Sequence, residues 1–218
     1  MKLMSVLLNQ IVHIYIGFYF LFFISCNKIE VRPDPVVNDP GEIQVLFIGN
    51  SLTYTNDLPA LLASHAKAND VKLTARSISL PNYALLDHLA ENNIVNALKN
   101  TKFNYIIVQQ GPSSQAEGRA WLIEGATQLK ALADKNGAKL CIFMVWPAFA
   151  NYGTFDGVIK NHSDAAQMTN SILCPVGLAW KEFIDKTNDL SYYGPDLFHP
   201  SLKGSKVAAE IIFKSIFK

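Results

Sequence analysis

Five short apolar runs mark the chain beyond residue 42, at 43–48, 71–77, 103–108, 139–145 and 172–176. Several are continuous rather than alternating, as expected of parallel strands covered on both faces. Between them, apolar positions recur at helical spacing. Leu58, Leu61, Leu62 and Ala66 form one stripe, with Asp57 placed to cap it and Pro59 in its first turn. Leu85, Leu86, Leu89, Ile94 and Leu98 predict a second, broken helical stretch. Further helices are predicted over 116–135, 163–170, 178–186 and 202–217. The last starts behind Ser201 and turns Val207, Ala208, Ile211, Ile212 and Ile216 inward. Strand and helix alternate, so the expected class is α/β with a mainly parallel five-stranded sheet. Ligands bind such sheets beyond the carboxyl ends of their strands.

Ahead of residue 42 the pattern changes. Lys2 is followed by an apolar stretch, 11–24, and then by Ser25-Cys26. That length suits the hydrophobic region of a signal peptide and is short for a membrane span. Phe23-Ile24-Ser25-Cys26 resembles a bacterial lipobox, in which a small residue precedes the cysteine that is lipidated. An ordinary signal peptide or a short anchor is the alternative. Pro33, Pro35 and Pro40 then fall in a stretch with few core-forming residues, which predicts an extended tether. The expected organisation is a lipoprotein signal peptide over 1–25, a Pro-rich tether over 26–41 and one domain over 42–218. A lipid on Cys26 would hold that domain to a membrane of the bacterial cell envelope.

Composition narrows the classes. Nineteen Lys and Arg stand against 18 Asp and Glu. So even a balance argues against the basic face that nucleic-acid binding requires. Half the residues are hydrophobic, which argues against a disordered chain. Cys141 lies in an apolar run and reads as a buried free thiol, with a Cys141–Cys174 disulfide as the alternative in an oxidising compartment.

The chemistry is concentrated at two points. Gly49-Asn50-Ser51 ends the first apolar run, which puts a hydroxyl at the tip of a strand. A serine hydroxyl needs a base to take its proton. Of the five histidines, His13 is in the leader, His65 and His88 fall in helical patterns, and His162 reads as part of a polar loop. His199 stands in Asp196-Leu197-Phe198-His199-Pro200-Ser201, just before the last helix. A spacing of three lets the Asp196 carboxylate receive one imidazole N–H and leaves the other nitrogen for Ser51.

Gly49-Asn50-Ser51-Leu52 resembles the first block of the SGNH (GDSL-like) hydrolases, and Asp196-Leu197-Phe198-His199-Pro200 resembles their last. The resemblance spans 43–217. It implies a flavodoxin-like three-layer α/β/α sandwich and hydrolysis of small acyl esters, often acetyl groups on sugars. It also implies Ser51 as nucleophile, His199 as base and Asp196 as its orienting acid. The middle blocks depart from the family. Leu80-Pro81-Asn82-Tyr83 stands where a glycine commonly lends its N–H to the oxyanion. Pro81 has no N–H, whereas Asn82 has one and tolerates a left-handed backbone. Val108-Gln109-Gln110-Gly111-Pro112-Ser113-Ser114 replaces the family's Gly-x-Asn-Asp. Neighbouring strand residues face opposite ways, so one of Gln109 and Gln110 reaches the pocket. Gln110, beside Gly111, is the expected oxyanion donor with the Ser51 and Asn82 amides, and Ser113 is next in line.

Tyr54, Tyr83, Tyr152, Phe155, Tyr192 and Tyr193 fall on loops near the same rim, where they could stack on sugars or simply pack. There is no metal-ligand spacing, P-loop or dinucleotide motif, so no metal or cofactor is expected. The expected function is a serine esterase acting on small acyl esters of carbohydrate. A non-catalytic, surface-tethered carbohydrate-binding protein and an acyltransferase are the alternatives.

Overall fold

The computed structural model describes residues 41–217. The leader, Cys26 and the tether up to residue 40 lie outside them. Strand β1 (Ile43–Gly49) runs into a one-turn helix α1 (Ser51–Tyr54), a 3-10 turn (Thr55–Asp57) and helix α2 (Leu58–Lys67). Then follow β2 (Leu73–Ser79), α3 (Leu85–Leu89), α4 (Asn93–Asn100), β3 (Tyr105–Val108) and α5 (Ala116–Asn136). The chain continues through β4 (Lys139–Phe143), a 3-10 segment (Phe149–Thr154), α6 (Phe155–Met168), β5 (Ile172–Cys174), α7 (Val176–Thr187) and α8 (Leu202–Ile216).

All paired strands are parallel, in the order β2-β1-β3-β4-β5. Both faces of the sheet are apolar because neighbouring side chains point opposite ways. Val45, Phe47, Ile107, Cys141 and Phe143 pack under α2, α7 and α8, whereas Leu46, Ile48, Ile106, Val108, Leu140 and Ile142 pack under α3, α4, α5 and α6. The strand order reverses direction between β1 and β3. That switch point is where an open parallel sheet leaves a crevice for a ligand.

The caps follow the sequence. Asp57 Oδ1 accepts the Ala60 N–H at 3.3 Å, Ser201 Oγ accepts the Gly204 N–H at 3.1 Å, and Gly137 closes α5 at φ 85°. Several element bounds differ from the expected ones, and His162 changes its place. The second strand begins two residues late because the Val71 N–H is bonded to Ala66 O, finishing α2. Helix α6 starts at Phe155, not at 163. Its inner face carries Asn161 and His162 among Phe155, Val158 and Ala165, and these polar residues disguise the period. His162 is therefore a fully buried helix residue rather than part of a polar loop. Cys141 is a buried free thiol as expected, and Cys174 is buried and free as well, so the alternative disulfide does not form.

Candidate active site

Ser51 stands one residue beyond β1, at the switch point. Asn50 has an extended backbone and its Oδ1 accepts the Leu52 N–H at 3.2 Å, which starts α1 at the serine. Ser51 Oγ lies 2.9 Å from His199 Nε2, and His199 Nδ1 lies 2.6 Å from Asp196 Oδ2. A carboxylate can only accept here, so the imidazole proton sits on Nδ1 and Nε2 faces the serine hydroxyl. Asp196 Oδ1 also accepts the N–H groups of Phe198 (3.1 Å) and His199 (2.9 Å). The His199 hydrogen bond, followed by that of the Phe198 amide, holds the Asp196 carboxyl below the usual carboxylate range.

The loop that carries this pair is pinned from below. Leu197 adopts φ 55°, and the Phe149 N–H donates to its carbonyl at 2.8 Å. Trp146 Nε1–H donates to Phe198 O at 3.0 Å, and the Gly194 N–H to His199 O at 2.7 Å. Trp146 is itself fully buried and stacks on Trp180 at 3.5 Å. The triad is open to solvent from above: the Asp196 side chain is 53% exposed and that of His199 35%.

The proposed oxyanion residues divide. Ser51 is the first residue of α1, so its amide is an orphan donor of a helix start. Asn82 adopts φ 62°, the left-handed geometry a glycine would favour. Gln110 is arranged differently from the expectation. Its Oε1 accepts the Leu85 N–H at 3.2 Å, and its Nε2 donates to Ser113 Oγ (3.0 Å) and Gly118 O (3.2 Å). Both amide hydrogens are thus spent on the loop and the start of α5, which leaves none for an oxyanion. Ser113 is equally committed, since its hydroxyl donates to Gly111 O at 2.9 Å.

Gln109 and His88 complete the turn. Gln109 Oε1 accepts the Asn50 N–H at 2.9 Å and the Thr53 hydroxyl at 2.8 Å. His88, 1% exposed, donates Nε2–H to Gly49 O at 2.7 Å. Burial lowers the His88 pKa, which keeps the ring neutral in that role. A histidine in a helical pattern gives no sequence signal of such a contact.

The rim aromatics are mostly structural. Phe155 and Tyr193 are buried, and the Tyr193 hydroxyl donates to Pro147 O. The Tyr152 hydroxyl donates to Asp185, that of Tyr83 to Glu91, and Tyr192 stacks on Phe183. Tyr54, one helical turn from Ser51, stays exposed. A cavity of about 440 Å³ adjoins the 196–199 loop through Phe198, whose ring lies edge-on to that of His199. Ser114, Gln115, Asn151, Thr154, two prolines, an alanine and Phe198 line it, with no ionisable side chain.

No protein-family model and no curated protein sequence matches the chain. Solved structures do. A candidate SGNH hydrolase from Slackia heliotrinireducens superposes with a TM-score of 0.67 at 21% identity, over 80% of this chain and 99% of that one. A variant of Axe2, an acetyl-xylooligosaccharide esterase from Geobacillus stearothermophilus, gives 0.61 at 17% identity, over 81% and 94%. A lipase/acylhydrolase from Enterococcus faecalis gives 0.65 at 14% identity, over 80% and 95%. With its five parallel strands, their 2-1-3-4-5 order and the flanking helices, the chain has the fold of the SGNH hydrolases.

Proposed function

We propose that the protein is a serine esterase that removes small acyl groups, acetyl foremost, from uncharged carbohydrate alcohols. The observation that carries this reading is the continuous hydrogen-bonded line from Asp196 through His199 to Ser51, at 2.6 and 2.9 Å. In the forward step His199 Nε2 takes the hydroxyl proton as Ser51 Oγ attacks the acyl carbon. The Ser51 amide, at the start of α1, and the Asn82 amide would receive the oxyanion. His199 then returns the proton to the leaving alcohol oxygen, and the acyl group remains on Ser51. Water, activated by the same imidazole, releases the acid. The openness of the triad supports water over a sugar as the acceptor. The neutral hydroxyl, amide and aromatic lining of the cavity beside Phe198 supports an uncharged, hydroxyl-rich alcohol.

The test is turnover of aryl acetate and longer aryl esters by the full chain in detergent, with mass-spectrometric mapping of a fluorophosphonate adduct. Turnover that falls with acyl length and an adduct on Ser51 are expected. Absence of both would leave the carbohydrate-binding alternative. The leader reading is part of the same proposal, because it puts the domain in the cell envelope, where glycan esters are found. The mature protein should begin at Cys26 and carry lipid there. A mature N-terminus elsewhere, without lipid, would refute that assignment.

A further inference from the structure

Gln109 is 1% exposed and leaves β3 beside the tip of β1. Its Oε1 holds the Asn50 N–H on one side of Ser51 and the Thr53 hydroxyl on the other. One oxygen on the neighbouring strand therefore ties both flanks of the nucleophile. Helix α1 has only four residues and cannot hold its own geometry in isolation. The contact is also close: a Cβ at position 49 would lie 2.5 Å from Thr53 Oγ1 and 2.6 Å from Gln109 Oε1. Gly49 is thus what admits the Gln109 oxygen. Gln109 Nε2, by contrast, is buried without a partner. A buried unpaired donor is costly, so a side chain present only to fill space would be better apolar. What the amide contributes is its acceptor.

We propose that Gln109 is a positioning residue for Ser51, fixing the nucleophile turn through Asn50 and Thr53. The opposite flank is held by His88 on Gly49 O and by Asn50 Nδ2 on Tyr83 O at 3.1 Å. The last contact joins the nucleophile turn to the loop that carries Asn82. This role rests on the esterase reading. It also reverses the sequence expectation, in which Gln110 was the member of the pair that served the reaction.

Gln109→Leu keeps the volume and removes the acceptor. Gln109→Glu keeps a carbonyl acceptor: burial without a cation holds the carboxyl in its protonated form, and the O–H replaces an Nε2 that had no partner, so no bond is lost. Both are made in the full chain, and kcat and KM on a short-chain aryl ester are taken per serine labelled by fluorophosphonate. Gln109→Leu should lower kcat about 30- to 100-fold, the scale of an ångström-level misplacement, with KM within about twofold. Gln109→Glu should stay within about fivefold of wild type in kcat, an acceptor-dependent rescue that a merely structural role would not show. A leucine variant with wild-type kcat, or a glutamate variant as impaired as the leucine, overturns the proposal. Should the leucine variant fail to fold, Thr53→Val decides, since it removes one of the two ties at nearly constant volume; an undiminished kcat there overturns it too. A wild-type protein with neither turnover nor labelling would sink the esterase reading itself. An active wild type with indifferent variants sinks only the role of Gln109.

Discussion

Ser51→Ala should abolish ester turnover, a loss of about 10⁴-fold or more, and His199→Ala should fall as far. The two act as a unit: the hydroxyl is inert without a base at 2.9 Å, and the base has nothing to deprotonate without the hydroxyl. The double variant should therefore be scarcely worse than either single one. Asp196→Asn should cost less, roughly 10²- to 10³-fold. Its side-chain oxygen can still accept the Phe198 and His199 amides and so preserve the turn. What it loses is control of the tautomer, and the half-exposed site lets water supply part of the missing orientation. Far-ultraviolet circular dichroism should be unchanged in all four, because Ser51 and the Asp196 loop sit at the rim rather than in either core layer. A Ser51→Ala protein that turns over every ester at the wild-type rate would end the serine mechanism.

The second large effect is on stability and concerns His162. The ring is fully buried in α6, its Nδ1–H donates to Val158 O, and its Nε2 has no partner. Burial pushes its pKa down to about 4. Above about pH 6.5, the ordinary histidine value, neither the folded nor the unfolded chain is protonated there, and the protein keeps its full stability. Between about 6.5 and 4 the unfolded chain takes a proton that the folded one refuses, so stability falls as the pH drops. Near and below 4 the folded form protonates as well and the dependence ends. At about 1.4 kcal/mol per pH unit, moving from pH 7 to pH 4.5 should remove about 2–3 kcal/mol through this residue. Urea unfolding of wild type and His162→Phe at the two pH values measures it. The carboxylates are common to both proteins, so the variant's curve should be flatter by that amount. Parallel curves would show that His162 does not carry the acid sensitivity.

The fold was legible because its signals were local. The apolar runs of both sheet faces, the Asp57 and Ser201 caps and the strand-helix alternation all stand in the chain as short patterns. Ser51, Asp196 and His199 were legible for a different reason: each sits in a tight turn whose neighbours are dictated by the turn. What failed depended on which of two faces a residue takes. Gln109 and Gln110 leave β3 in succession, and both faces of that strand are apolar. Nothing in the alternation could say which glutamine meets β1 and which meets the loop at 113–118. Gln109 went to the nucleophile turn because Gly49 leaves room there. Gln110 went to the Leu85 amide and the start of α5. The same ambiguity hid α6, where Asn161 and His162 face inward. Asn161 earns its burial by donating to Ser113 O at 2.8 Å, a contact 48 residues away in sequence.

The chain has three tryptophans, and their placement makes the protein its own optical probe. Trp121 is nearly half exposed on α5, whereas Trp146 and Trp180 are sealed from solvent with their planes 11° apart. A dissolved quencher such as iodide should therefore silence one emitter and leave the stacked pair. Indoles that close should also couple their transitions and give a strong near-ultraviolet dichroism band. Because Trp146 donates to the carbonyl of the residue just before His199, that band should respond to the position of the 196–199 loop. In a Trp121→Phe background, the remaining ultraviolet signal would report any movement of the loop on addition of an acyl ester, without any attached label.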